Sequence, residues 1–165
     1  TNADKGVFSF NHTTHSPLLR RPIAVSIETK RQGEHFQDAL DQLGVWTSAH
    51  FARLTELLTA AGRSHVHPPM LPCLIAQGSD WKFILAEKTL AGEVVSFGAH
   101  SIHLHNERLT NTDPENLEQA DFGDVATHRG VYTTISVLLL LMDWAETQYR
   151  PWFEENICSS ALPSG

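Results

Sequence analysis

The sequence predicts a single α/β or α+β domain, a central sheet flanked by at least two helices. Three observations carry this: a period-two pattern at residues 22–30, a three-and-four periodicity across residues 34–61, and a second helical face across residues 130–149. Short apolar segments broken by turn residues lie between the two helical stretches. The order is therefore strand, helix, two to four strands, helix, which is a layered structure around one sheet. No repeat and no internal linker divides the chain, and residues 1–165 are read as one domain.

Residues 1–21 are polar, with Asn11-His-Thr-Thr-His-Ser-Pro17 in one block, and carry no helical or alternating period, so they read as an irregular entry. From Pro22, the residues Ile23, Val25 and Ile27 alternate with Ala24, Ser26 and Glu28, predicting a strand over 22–30 that Gly33 closes. Between residues 34 and 61, Phe36, Ala39, Leu40, Leu43, Trp46, Leu54, Leu57, Leu58 and Ala61 recur at helical spacing, with Gly62 suited to end the helix and Pro68, Pro69 and Pro72 forbidding its continuation. Residues 71–77 and 81–87 are apolar on either side of Gly78-Ser79-Asp80, which is hairpin chemistry. Two further strands are expected over 93–97 and 101–105, then a polar acidic loop over 106–124. Val131, Ile135, Leu138, Met142 and Ala145 mark one face of a core helix expected to stop before Pro151.

Composition excludes several classes. At 41% hydrophobic and 19% charged the chain can bury a core, which rules out global disorder. Cys73 and Cys158 stand far apart, too few for a disulfide framework or a cysteine-rich zinc module, and fit a reduced intracellular setting. The longest apolar run is far below the about 20 residues of a membrane span. The chain opens on Thr-Asn-Ala-Asp without a basic-then-apolar leader. The expectation is therefore no secretory signal and a missing N-terminal segment. A net charge of −7 disfavours nucleic acid as a partner without removing it, since a small basic patch survives in Arg20, Arg21, Lys30 and Arg31.

Chemistry is concentrated in Glu28 and Lys30. Alternation on a strand projects both side chains to one face, about 6 to 7 Å apart at their Cα atoms. A carboxylate there can ligate a hard cation while the ammonium holds a water, a pairing suited to phosphodiester hydrolysis. The small neighbours Ala24 and Ser26 leave that face open to approach. Alone, an E-x-K triplet usually means two solvated surface charges.

Context adds a resemblance. Arg21-Pro-Ile-Ala-Val-Ser-Ile-Glu-Thr-Lys30, preceded by Asn11-His-Thr and followed by Gln42-Leu-Gly-Val-Trp46, resembles the PD-(D/E)XK nuclease-like proteins common in filamentous fungi. Gln77-Gly-Ser-Asp-Trp81, Gly130-Val-Tyr132 and Tyr149-Arg-Pro-Trp-Phe153 extend the likeness over about residues 9–157. The resemblance implies a restriction-endonuclease-like core, a mixed sheet with helices on both sides, and a metal-dependent phosphodiesterase acting on DNA or RNA with Mg²⁺ or Mn²⁺. It implies that Glu28 and the Thr29 carbonyl ligate the metal, that Lys30 positions the hydrolytic water, and that Gln42 supports them, with Trp46 one turn later on the same side. His12 becomes a candidate for ordering the site or touching substrate. The family pattern also needs an Asp on an upstream strand. Asp4 is the sole upstream carboxylate and sits in a turn-like context, so that Asp is expected before Thr1 or is lost.

Other readings compete. The fold could serve a small-molecule substrate, as an enzyme of fungal secondary metabolism using Glu28, Lys30 and His12, or could be a silent binding domain presenting the acidic 107–124 segment. His100, His103, His105 and Glu107 raise a metal site, and His65-Val-His67 a weaker one. An edge strand or the closing helix could support a homodimer. Trp81, Trp144 and Trp152 fall where the helical and strand patterns want bulk in the core. No nucleophile elbow, phosphate loop or dinucleotide fingerprint is present.

Overall fold

The structure is a computed structural model that describes residues 8–88 and 120–159. Four strands form one mixed sheet in the order β1 (Ser26–Lys30), β2 (Leu71–Gln77), β3 (Asp80–Ala86) and β4 (Ala120–Asp124). The β1–β2 pair is parallel, with Glu28 opposite Ile75, whereas β2–β3 and β3–β4 are antiparallel. A parallel pair needs a crossover, and helix α1 (Phe36–Ala60) supplies it.

Helix α1 forms because Ala39, Leu43, Thr47, Phe51, Leu54 and Leu58 repeat on one side and are all buried. It ends as its sequence predicts. Gly62 adopts φ +70°, its N–H donates to the Thr59 carbonyl, and Arg63 N–H donates to Leu58 O, so the last carbonyls are satisfied. The β2–β3 hairpin turns through Gly78 and Ser79, Gly78 at φ +59°, with Gln77 opposite Asp80. The predicted strands at 71–77 and 81–87 thus stand to within a residue.

Two cores flank the sheet. On one side Phe51, Leu54, Leu58, Cys73, Ile75 and Ile84 pack with Tyr149, Phe153 and Ile157 of the closing helix, Trp144 and Trp152 lying against them. On the other, Leu74 and Phe83 meet Val137 and Leu141 of α2 (His128–Trp144), with Val25 and Trp81 alongside. The result is a three-layer arrangement of mixed sheet and flanking helices.

Four expectations are corrected. The face of the last helix expected in the core is largely exposed, Val131 at 37%, Ile135 at 47% and Met142 at 64%, because the residues that pack on Leu74, Phe83 and Gly123 are the preceding ones, Gly130, Thr134, Val137 and Leu141. The first strand covers Ser26–Lys30, not 22–30, because the Ile23 N–H is taken by Asn11 Oδ1 at 2.9 Å instead of a sheet partner, and Ile27 is half exposed. Residues 120–124, expected in a loop, are strand β4. Its Gly123 and acidic ends read as turn chemistry, yet Gly123 stands in the ladder opposite Trp81 and beneath α2, where a Cβ would collide with Thr134 Oγ1. The closing helix does not stop before Pro151. It widens to a π turn (Ala145–Tyr149), runs through α3 (Arg150–Phe153) and ends in a second π turn (Glu154–Cys158). The wider turn accommodates a proline that lacks an N–H and would otherwise press its ring on the preceding turn. The strands expected over 93–97 and 101–105, the His100, His103, His105 and Glu107 cluster, and Asp4 lie outside the described residues.

Candidate active site

Among the described residues β1 is an edge strand, supported on one side by β2, whose Cys73, Leu74 and Ile75 are fully buried. Its even-numbered side chains face α1. Trp46 Nε1–H donates to Ser26 Oγ at 3.0 Å, and Lys30 Nζ donates to Gln42 Oε1 at 2.8 Å. Gln42 and Trp46 are four apart on the helix while Ser26 and Lys30 are four apart on the strand, so the helix grips the strand at two points. Glu28 lies between them, its Oε1 3.6 Å from Lys30 Nζ. The sequence-predicted Glu28, Lys30 and Gln42 are thereby brought together.

Backbone geometry adds one donor. The Lys30 carbonyl accepts from Gly78 N–H on the β2 side at 3.1 Å. Carbonyls alternate sides along a strand, which directs that of Thr29 toward the open edge, beside the Glu28 side chain. In front of this edge is a cavity of about 460 Å³ lined by Leu18, Ile23, Ile27, Glu28, Gln42 and Trp46 among others. Glu28 is the single carboxylate in its lining.

The loop before β1 forms the cavity's far wall, and Asn11 organises it. Asn11 is buried, its Nδ2 donating to the carbonyls of Leu18 at 2.6 Å and Arg21 at 2.9 Å. Arg53 of α1 ties the start of this loop down by donating to the Ser9 carbonyl. His12 is carried inward by the same loop, but it packs edge to face on Trp46, with ring centroids 4.1 Å apart, and beside His50 at 5.2 Å. It is therefore placed behind Trp46, outside the lining shared with Glu28. Both nitrogens of His12 and of His50 are buried without hydrogen-bond partners. Burial lowers the pKa of both rings, that of His50 to about 4 with His12 a second cause.

Sequence reasoning missed Asn11 as the organiser, the Trp46–Ser26 bond and the His12–His50 pair. Only His50 left a signal, because it falls on the buried register of α1 between Thr47 and Leu54. Cys73, opposite Ser26, is no nucleophile: burial pushes its thiol up to about 12.

The family model described as the PD-(D/E)XK nuclease superfamily matches residues 2–150. The chain belongs to that superfamily. No curated protein and no solved structure matches it. The superfamily generally uses divalent metals, and the donors present suit one. Glu28 and the Thr29 carbonyl are hard oxygen ligands, and Mg²⁺ is commonly held by one or two carboxylates, substrate phosphate and retained waters. Among the described residues no group of three His, Cys, Asp or Glu side chains is positioned to enclose a metal ion. No helix among the described residues is long and apolar enough to cross a membrane.

Proposed function

We propose that the protein is a metal-dependent phosphodiesterase acting on DNA or RNA, and one of the fungal members of its superfamily. The observation that carries this is the Glu28–Lys30 pair at the open end of β1, with Lys30 held by Gln42 and an accessible cavity in front. In this reading Glu28 and the Thr29 carbonyl would hold Mg²⁺ or Mn²⁺, an ion that would supply a more acidic bound water and offset charge on the phosphoryl group. Lys30 donates a hydrogen bond to the attacking water and aims it, while Gln42 fixes the direction of the ammonium. The two free cysteines, one of them buried, favour an intracellular setting.

The test is cleavage of plasmid DNA and of RNA with Mg²⁺ and with Mn²⁺. Glu28→Gln and Lys30→Ala are each expected to abolish cleavage while leaving circular dichroism and the melting transition in place. Calorimetry is expected to show metal binding lost in Glu28→Gln. Full Mg²⁺-dependent cleavage by both variants refutes the assignment.

A second reading keeps the fold and drops phosphodiester cleavage, and it is favoured by the cavity wall, in which Leu18, Ile23, Val25, Ile27, Leu43 and Trp46 are apolar. That wall and the net charge of −7 also suit a small organic substrate. Metal binding without cleavage of any nucleic acid, together with saturable binding of a small organic ligand at the cavity, would select this reading.

A further inference from the structure

The walls of the cavity name a substrate class for the proposed nuclease. Phosphate chemistry needs Glu28 and Lys30, but it does not need Leu18, Ile23, Val25, Ile27 and an indole beside them. These residues line the same cavity as Glu28, so whatever places a phosphate at Glu28 also places its neighbouring group against them. Trp46 is 38% exposed, although its N–H is bound to Ser26 Oγ and His12 packs edge to face against it. It is a plate fixed in position before any ligand arrives. Its exposed indole surface opens on the cavity that Glu28 lines and is available to a flat partner.

Charge narrows the partner further. A duplex is held by a track of Lys and Arg along its two backbones. Here Arg53 is engaged with Ser9 and Glu56, Arg150 with Glu146 and Glu154, and Arg20 and Arg21 line a different cavity. Near the site stand Lys30 and the exposed Arg31, Lys82 and Arg129 line a further cavity, and the chain as a whole carries −7, so the described cations form no continuous track. A stacked duplex also hides the faces of its bases, whereas a single strand presents them to an aromatic plate without unpairing.

We propose that the cavity takes one unstacked base of a single-stranded nucleic acid, against Trp46 and the apolar wall, with the adjoining phosphate at Glu28. The inference rests on the nuclease reading for the phosphate and on the cavity alone for the base. Among the described residues no strand pairs with the outer edge of β1 at Ile27, whose backbone N–H and C=O can meet the rim of a base. Stacking accepts every base, so sequence preference is weak.

The test uses the whole chain with end-labelled 12-nucleotide single strands of DNA and of RNA, the matching duplexes, and the variants Trp46→Ala, Trp46→Phe and Glu28→Gln. Expected are cleavage of single strands at least tenfold faster than of duplexes, a loss of about ten- to hundredfold in kcat/KM for Trp46→Ala carried mainly by KM, and substantial retention in Trp46→Phe. The Phe variant keeps the plate and guards against a folding defect in the Ala variant. DNA against RNA decides which strand is used. Equal cleavage of duplex and single strand, or unchanged kinetics in Trp46→Ala, overturns the proposal and leaves the nuclease reading standing. If no substrate is cleaved, quenching of tryptophan emission by the uncleaved single strands that is lost in Trp46→Phe supports the base site and removes the hydrolysis. Absence of both cleavage and quenching overturns both.

Discussion

His50 stands in the core of α1 with 1% of its surface exposed and neither ring nitrogen hydrogen-bonded. Burial, and secondarily the charge of His12, lowers its pKa from 6.5 to about 4. The native state therefore keeps His50 neutral where the unfolded chain would bind a proton. Stability from this group is complete above pH 6.5, falls as the pH drops, and is lost in full once the pH passes below about 4. At about 1.4 kcal/mol per pH unit, the whole span converts into about 3 kcal/mol. The perturbation is His50→Leu, which keeps an apolar bulk in the site and removes the titration. Urea unfolding of both proteins at intervals from pH 7.5 to pH 4 measures it. The variant should match or exceed the wild type at neutral pH, because no polar atom is left orphaned, and the gap in its favour should widen by about 3 kcal/mol toward pH 4. Protonation of carboxylates weakens both proteins alike and cancels in the difference. Parallel loss of stability in the two proteins would refute the reasoning, since His50 would then titrate in the folded state as it does in water.

Two further outcomes are expected. Gly130→Ala should destabilise by about 3 kcal/mol despite alanine's better helix propensity, because the added Cβ would meet the backbone of Asp124, with its carbonyl carbon at 2.6 Å and its nitrogen at 2.8 Å, and backbone cannot step aside; the shift in urea midpoint checks it. Asn11→Ala removes three hydrogen bonds that shape the wall of the cavity, at about 1 kcal/mol each, and should lower the Tm by about 6 to 12 °C in a thermal scan.

Periodicity made α1 and the β2–β3 hairpin legible, since each buries a repeating set of side chains and ends on a glycine or a pinned turn, but on α2 it picked the face one residue away from the buried one. It failed where a residue's conformation is decided from outside its own segment. Ile23 and Val25 alternate as a strand would, but Asn11, twelve residues before Ile23, takes the N–H that a sheet neighbour would need. Gly123 looks like a turn residue because the reason for its lack of a side chain, the approach of α2, is invisible until the helix is in place. Pro151 reads as a stop because a π turn has no composition of its own. At the site, the period of two made legible that Glu28 and Lys30 share one face of the strand. Their dependence on Gln42 was legible only through the family resemblance, and the bond from Trp46 to Ser26 was not legible at all.

The two helix-to-strand bonds explain how a five-residue edge strand can support chemistry. β1 has one neighbour in the described sheet, so its ladder fixes register against β2 but leaves its outer margin untied. An edge strand held on one side only would let Glu28 and Lys30 wander, and catalytic geometry tolerates little misplacement. Gln42 and Trp46 close that freedom from the face instead of from the edge, and the outer backbone stays available. The arrangement thus ties rigidity to α1, which buries Ala39, Leu43, Thr47, Phe51, Leu54 and Leu58 against the core, and among the described residues leaves the outer edge of β1 without a strand partner.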